Sequence, residues 1–212
     1  NSTAKLTGDG NGGWLNVNLL CAGTRDNLGN CTDNTKILTL HDINVKVVEA
    51  INIDFSGQIV MTGSTYFDAE GGLSFNLAGT MNFSGSVTAN INLNGGTMCI
   101  TDNTTIIGNI KHLASIEGST IFIAPETVLA YEGEIPLRVN GYTLNLQGGG
   151  LFSSTDNNSI TLNEDDGILQ LADNATRISH LAIDESVNNA VLDIKENNGS
   201  SCKDEDGNLI DD

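Results

Sequence analysis

Short apolar strands, each ended by Gly or Asn, recur from about Ile51 to Ile194. Apolar residues alternate with small or polar residues over four to six positions of each strand, which predicts half-buried β-strands. Gly and Asn at the strand ends favour turns because both tolerate positive φ. One such strand cannot bury its apolar face alone. The repetition therefore predicts an all-β chain folded as a β-solenoid, or parallel β-helix, whose stacked coils share one core.

The alternation also predicts which side chains face this core. The inward set is Ile100, Ile121, Ile123, Leu144, Leu146, Ile160, Leu162 and Leu169. Taking Ile100, Phe122, Leu144 and Leu162 as equivalent strand centres predicts coils of roughly 18–22 residues. We also expect Asn side chains at successive turns to form ladders, because the backbone amides of a turn need hydrogen-bond partners.

The pattern divides the chain into three segments. Residues 1–50 are interpreted as N-terminal cap or docking strands around a cysteine-bearing loop, and residues 51–195 as the solenoid array. Residues 196–212 are interpreted as an acidic loop or linker. The N-terminal strands could cover the open edge of the end coil or pair with a neighbouring subunit, and the sequence leaves both alternatives open.

Charge restricts the range of partners. The chain carries 27 acidic and 9 basic residues, a net charge of −18. This argues against nucleic acid and against anionic membrane surfaces, because phosphate binding needs clustered Lys and Arg. No apolar stretch approaches 18 residues, so the sequence predicts no membrane span. Residues 101–212 hold 19 acidic and 5 basic residues, a net −14, which fits either a solubilising surface or bound calcium.

The acidic C-terminus contains the candidate metal site. Its oxygen ligands would be Asp204, Asp206, Asn208, Asp211 and Asp212. Short carboxylates alternate around a Gly that permits a sharp bend, which is the arrangement a hard cation needs. Over about nine residues this segment resembles the acidic calcium loops of thrombospondin type 3 repeats, and the resemblance implies calcium as ligand. A second acidic cluster, at residues 163–166, is interpreted as a polar turn.

Four cysteines allow three full pairings. Cys21 and Cys31 flank a short polar loop, so we expect a disulfide between them in an exported protein. Cys99 lies within an apolar strand and is expected to be a buried free thiol. Cys202, in the acidic segment, is expected to be free or paired with another chain.

Hydrolases and lyases with the β-helix fold carry local catalytic motifs that this sequence lacks. Asp165 and Asp166 form only a bare pair, the histidines lack a Gly-His-Gly context, and no Arg-x-Lys segment occurs. None of the three arginines lies within a local acidic cluster. A lone strand histidine is more often hydrogen-bonded in a structural role than a catalytic base. We therefore expect no catalytic residues, while a groove assembled over long range remains open.

Across the predicted array, the strand and turn pattern resembles the β-solenoid passenger or stalk regions of bacterial surface proteins. The resemblance implies an exported, non-enzymatic surface or extracellular fibre protein with a structural and adhesive role. Its partners would be further copies of itself, or glycans and proteins of a host or cell surface. The alternative is a polysaccharide-active β-helix enzyme, such as a lyase, a hydrolase or a phage-type depolymerase.

Overall fold

A computed structural model arranges the chain as a stack of parallel strands. It describes residues 3–7, 14–17, 27, 37–41, 44–47, 52–55, 58–62, 67–69, 74–77, 80–88, 90–93, 95–112, 118–172, 176–195, 202, 209 and 210. These residues form twenty-two strands and one short 3-10 helix, Asp156–Asn158. Within these ranges, no helix is long and apolar enough to cross a membrane.

The strands are short, and most contain three to five residues. The first eleven are β1 (Thr3–Thr7), β2 (Trp14–Val17), β3 (Ile37–His41), β4 (Asn44–Val47), β5 (Asn52–Phe55), β6 (Gln58–Thr62), β7 (Phe67–Ala69), β8 (Ser74–Leu77), β9 (Thr80–Thr88), β10 (Asn90–Leu93) and β11 (Thr97–Ile107). The remainder are β12 (Ile110–His112), β13 (Ser119–Ile123), β14 (Val128–Tyr131), β15 (Leu137–Arg138), β16 (Thr143–Gln147), β17 (Leu151–Ser153), β18 (Ile160–Leu162), β19 (Ile168–Ala172), β20 (Arg177–Ile178), β21 (Leu181–Ile183) and β22 (Val191–Lys195).

Parallel pairing joins these strands into ladders that run along the stack. The largest sheet follows the order β1-β3-β6-β9-β11-β13-β16-β19-β22, and β14, β17 and β20 attach to its side. Three smaller sheets follow the orders β12-β10-β8-β5, β15-β18-β21 and β2-β4-β7. Every pairing between described strands is parallel. This confirms the β-solenoid fold.

The coils of the C-terminal half are longer than the sequence predicts. Thr97 pairs with Thr120 in the next coil, and Ser119 pairs with Leu144 in the one after it. Both separations along the chain exceed the predicted coil length, which is therefore wrong for this half. The prediction treats Leu162 as equivalent to Leu144, whereas Leu162 lies in β18, on a different sheet. It also treats Phe122 as equivalent to Ile100 and Leu144, whereas Ile100 pairs with Ile123 and Phe122 with Gln147. Both faces show the same alternation, so periodicity alone does not distinguish them.

The core consists of the inward positions of successive strands. All eight predicted inward side chains are at most 1% exposed, which confirms that set. Buried Phe83, Tyr131 and Phe152 join the same cluster, and the ring centroids of Tyr131 and Phe152 lie 5.9 Å apart. Their burial follows from strand alternation, because every second residue of each strand faces the stack interior.

Asn side chains link successive coils at the turns, as the sequence predicts. The side-chain oxygen of Asn90 accepts a hydrogen bond from the backbone N–H of Asn109, at 2.9 Å. Asn140 donates its backbone N–H to the side-chain oxygen of Asn163, whose amide donates back to the Asn140 side chain. Asn140 has φ of 57°, a left-handed conformation that Asn tolerates better than most residues. These bonds satisfy polar backbone groups where the ladders end.

The described strands of residues 1–50 belong to the same ladders. Strand β1 pairs with β3 and β3 with β6, while β2 pairs with β4 and β4 with β7. The parallel stack therefore extends into this segment. The domain boundary near residue 50 stays a prediction.

The cysteine predictions are corrected at two positions. Cys99 and Cys202 form a disulfide, with their Cα atoms 5.7 Å apart, so neither is a free thiol. Both are fully buried in a small cluster with Phe122 and Ala124. Strand alternation sets Cys99 on the face opposite Met98 and Ile100, so this cluster lies outside the main core. Cys21 and Cys31 lie outside the described residues, and their disulfide stays a prediction.

Candidate functional site

A break between two sheets forms a pocket on one lateral face of the solenoid. Strand β12 ends one small sheet and β15 begins another, and the two strands pack together without pairing as a ladder. The pocket has a volume of about 320 Å³. Its lining combines two basic residues and two other polar residues with an apolar wall, and comprises Lys111, Arg138, His112, Asn140, Ile110, Ile135 and Pro136.

Side chains replace the missing ladder at this break. The Nδ1 atom of His112 lies 2.6 Å from the carbonyl oxygen of Val139, and the Asn140 amide donates to the carbonyl of His112, also at 2.6 Å. The buried Tyr131 hydroxyl accepts from the backbone N–H of Ile110 and donates to the carbonyl of Ile135. These bonds fix both walls of the pocket.

The histidine of the pocket is held in one neutral form. A carbonyl only accepts hydrogen bonds, so Nδ1 of His112 carries the proton and Nε2 is an acceptor. Burial lowers the pKa of His112, although the hydrogen bond to Val139 opposes the shift. Nε2 is buried and has no hydrogen-bond partner among the described residues. An unsatisfied buried acceptor costs about 1–3 kcal/mol, so this atom marks the pocket as unusual.

The pocket is locally basic on an acidic protein. Lys111 and Arg138 are two of only five basic residues in residues 101–212, and both are exposed. Asp184 attracts Arg138 electrostatically, and this attraction contributes to the lowered pKa of Asp184, behind two hydrogen bonds from Ser186. The described lining residues include no carboxylate. The pocket therefore suits an anionic group.

A second cluster contains Ser179, His180 and Asp156. The Nε2 atom of His180 lies 3.4 Å from an Asp156 oxygen, and its Nδ1 lies 3.1 Å from the Ser179 hydroxyl. The Ser179 hydroxyl, however, donates to the carbonyl of Ser154 and accepts from the N–H of the same residue. Its proton is thus directed at a carbonyl and not at His180. This cluster joins two coils and does not have the arrangement of an activated nucleophile.

The acidic cluster at residues 163–166 is a turn. One side-chain oxygen of Asp165 accepts the backbone N–H groups of Asn188 and Asn189, at 2.7 and 3.0 Å. These bonds lower the pKa of Asp165 because they stabilise the carboxylate. Asp166 has φ of 64° and accepts from the side chain of Asn189. The cluster therefore positions the turn of the next coil.

The candidate calcium ligands Asp204, Asp206, Asn208, Asp211 and Asp212 lie outside the described residues, and that site stays a prediction. Within the residues that the structure does describe, no group of three or more His, Cys, Asp or Glu side chains could hold a metal ion.

An apolar row is exposed on the last described coil. Ile194 is 64% exposed, Ile183 60%, Leu192 51% and Leu181 41%. Leu192 and Ile194 pair with Leu169 and Leu171, which face the core one coil earlier. The same inward columns thus continue into β22, where no following strand covers them in the described chain. This row, Leu181, Ile183, Leu192 and Ile194, is called the terminal apolar edge below.

Neither feature has a signal in the linear sequence. The pocket residues come from two strands of different sheets, and the terminal apolar edge has the same alternation as the buried strands. No protein-family model, curated protein or solved structure matches this chain. The functional interpretation therefore depends on the pocket and on the terminal apolar edge.

Proposed function

We propose that this chain is an exported, non-enzymatic surface or extracellular fibre protein, structural and adhesive in role, whose copies stack end to end. The terminal apolar edge is the observation that carries the proposal. The disulfide between Cys99 and Cys202 supports an extracellular location, because disulfides persist in oxidising compartments.

The exposed edge is costly to leave in water. Four large apolar side chains are exposed on two successive strands of one coil, and apolar patches left exposed mark interaction surfaces. Among the strands that the structure describes, β22 is the last of its ladder, and an edge strand offers its outer backbone groups for pairing. Cys202 does not cover it, because Cys202 lies against β11, four strands back along the ladder.

A second copy of the chain is the proposed occupant. Strands β1 and β22 are the two ends of the same parallel ladder, and each contains five residues. Pairing β22 with β1 of the next copy would continue the ladder in the same direction. Lys5 and Asp193 are the central residues of these strands, so a centred pairing sets the two residues at the same register position. Contacts of this head-to-tail kind produce open filaments.

The test compares two Ile→Asn variants. Ile194→Asn alters the terminal apolar edge, whereas Ile107→Asn alters a 39% exposed isoleucine elsewhere. Sedimentation and electron microscopy should show concentration-dependent filaments for the unaltered chain and for Ile107→Asn. Ile194→Asn should weaken association by about tenfold or more, because the free energy of burying one isoleucine side chain in the interface is lost. A monomer at every concentration, or equal loss in both variants, would contradict the proposal.

The alternative is a polysaccharide-active enzyme of the β-helix type. Such an enzyme needs convergent carboxylates, and the described lining of the pocket contains none. Release of reducing sugars from acidic or neutral polysaccharides by the purified chain would favour this alternative over the fibre.

A further inference from the structure

The pocket between β12 and β15 is a built concavity. Its two walls are joined by side-chain hydrogen bonds through His112, Asn140 and Tyr131. A volume of about 320 Å³ lies at the lower end of the range for small-molecule sites. Because the bonds across the break fix the walls before any ligand arrives, little conformational entropy would be lost on binding.

Some polar groups of the pocket already have hydrogen-bond partners within the described protein, and others do not. The Asn140 side chain forms hydrogen bonds with both His112 and Asn163. Nδ1 of His112 forms one with the Val139 carbonyl. No hydrogen bond to another described residue occupies the charged ends of Lys111 and Arg138, although Asp184 attracts Arg138 electrostatically. The Arg guanidinium presents paired N–H donors whose fork matches a carboxylate, and Lys adds a second positive charge.

Two further observations narrow the ligand class. Ile110, Ile135 and Pro136 form an apolar wall, which suits the C–H face of a ring. Nε2 of His112 is buried, so it does not reach a ligand while the walls stay fixed. Two cationic side chains beside an apolar wall favour a ring that carries a carboxylate, and the adhesive role proposed above makes a sugar ring the ligand of choice.

We propose that this pocket binds a hexuronic acid residue, with its carboxylate on Arg138 and Lys111 and its ring against Ile110, Ile135 and Pro136. The proposal rests on the adhesive part of the proposed function and names its ligand class. It does not depend on end-to-end stacking, which involves a different face of the chain.

The test is calorimetric titration with glucuronate and galacturonate, and with glucose as the matched neutral sugar. At least one uronate should bind, and glucose should bind about tenfold more weakly or not at all. Arg138→Gln and Lys111→Gln should each weaken uronate binding by about tenfold. Asp184→Asn should strengthen it by about twofold, because the competing carboxylate on Arg138 is removed.

Lys195→Gln serves as the control, because Lys195 is an exposed base in β22, outside the lining of the pocket, and pairs with Asp193 of the same strand. It should leave binding unchanged, and all variants should keep the melting temperature of the unaltered chain. Absence of uronate binding at millimolar concentrations would overturn the proposal, as would equal affinity for glucose or acetate. Binding that survives both Arg138→Gln and Lys111→Gln would also overturn it. Filaments that persist while uronate fails to bind would leave the stacking proposal intact.

Discussion

At the scale of single residues, His112 connects the pocket to the stability of the fold. Burial lowers the folded-state pKa of His112, so near pH 6.5 and below the unfolded chain takes up this proton more readily than the folded chain does. A group of this kind makes stability fall as pH drops below about 6.5. Uptake of one such proton lowers the free energy of unfolding by up to ~1.4 kcal/mol for each pH unit of acidification within that window.

We therefore expect the melting temperature to decrease between about pH 7 and about pH 5. His112→Asn should flatten this slope, because Asn retains a donor for the Val139 carbonyl and does not titrate. The lowered pKa values of Asp165 and Asp184 act in a separate window, since their stabilising effect is lost only at more acidic pH. Equal slopes in both proteins would show that His112 does not titrate on unfolding.

Gly148 has a conformation that a side chain would disturb. Its φ is +92°, and a Cβ atom placed there would lie 2.5 Å from the carbonyl oxygen of Ile123. Gly148→Ala should therefore lower the free energy of unfolding by about 1–3 kcal/mol or more, measured by denaturant titration. Gly141→Ala is the matched control, because the nearest neighbour of its Cβ would be 3.5 Å away and a small effect is expected.

At the scale of strands, the same alternating pattern gives buried side chains in one strand and exposed side chains in another. Leu144 in β16 is fully buried, whereas Leu192 in β22 is 51% exposed, although both occupy inward columns. Leu144→Ala should cost about 2–5 kcal/mol of unfolding free energy, because transfer energy is lost and a cavity remains. Leu192→Ala, measured on dilute monomer, should cost much less. Similar losses would mean that β22 is covered in solution.

Strand positions and inward residues were predictable because polarity alternates locally along the chain. Sheet membership was not: Leu144 and Leu162 have similar surroundings in sequence, yet β16 and β18 lie on different sheets. The pocket was not predictable either, because it depends on β12 and β15 failing to pair. That failure depends on coil length and turn geometry over a whole coil.

At the scale of the whole molecule, the disulfide joins segments 103 residues apart. In the chain-entropy account, closing a loop of about that length stabilises the fold by about 4–5 kcal/mol. The double variant Cys99→Ala with Cys202→Ala should lose a large part of this stabilisation. It should also bind apolar dyes, because Phe122 beside the lost disulfide becomes exposed. Peptide mapping without reductant should recover Cys99 linked to Cys202, and would also test the predicted Cys21–Cys31 bond.

The acidic C-terminus yields a prediction for the whole molecule as well. Net charge −14 in residues 101–212 should make the chain respond to divalent cations. Calcium bound only by the folded or assembled state would add about 2.7 kcal/mol to the stability of that state at a hundredfold excess of calcium over Kd. Calcium should therefore raise the melting temperature or promote association, and Asp204→Ala with Asp206→Ala should reduce the effect. If a chelator changes neither property, the acidic segment does not bind calcium.

The fold class, the inward residues and the Asn ladders at the turns could be predicted from the order of residues alone. Each of these follows from local alternation and from the conformations that Gly and Asn permit. The folded chain is needed to see that Cys99 meets Cys202, that Lys111 and Arg138 share a pocket, and that Leu192 and Ile194 of β22 are exposed. These features depend on which distant coils come together, and on the register at which they do so, which no local pattern encodes.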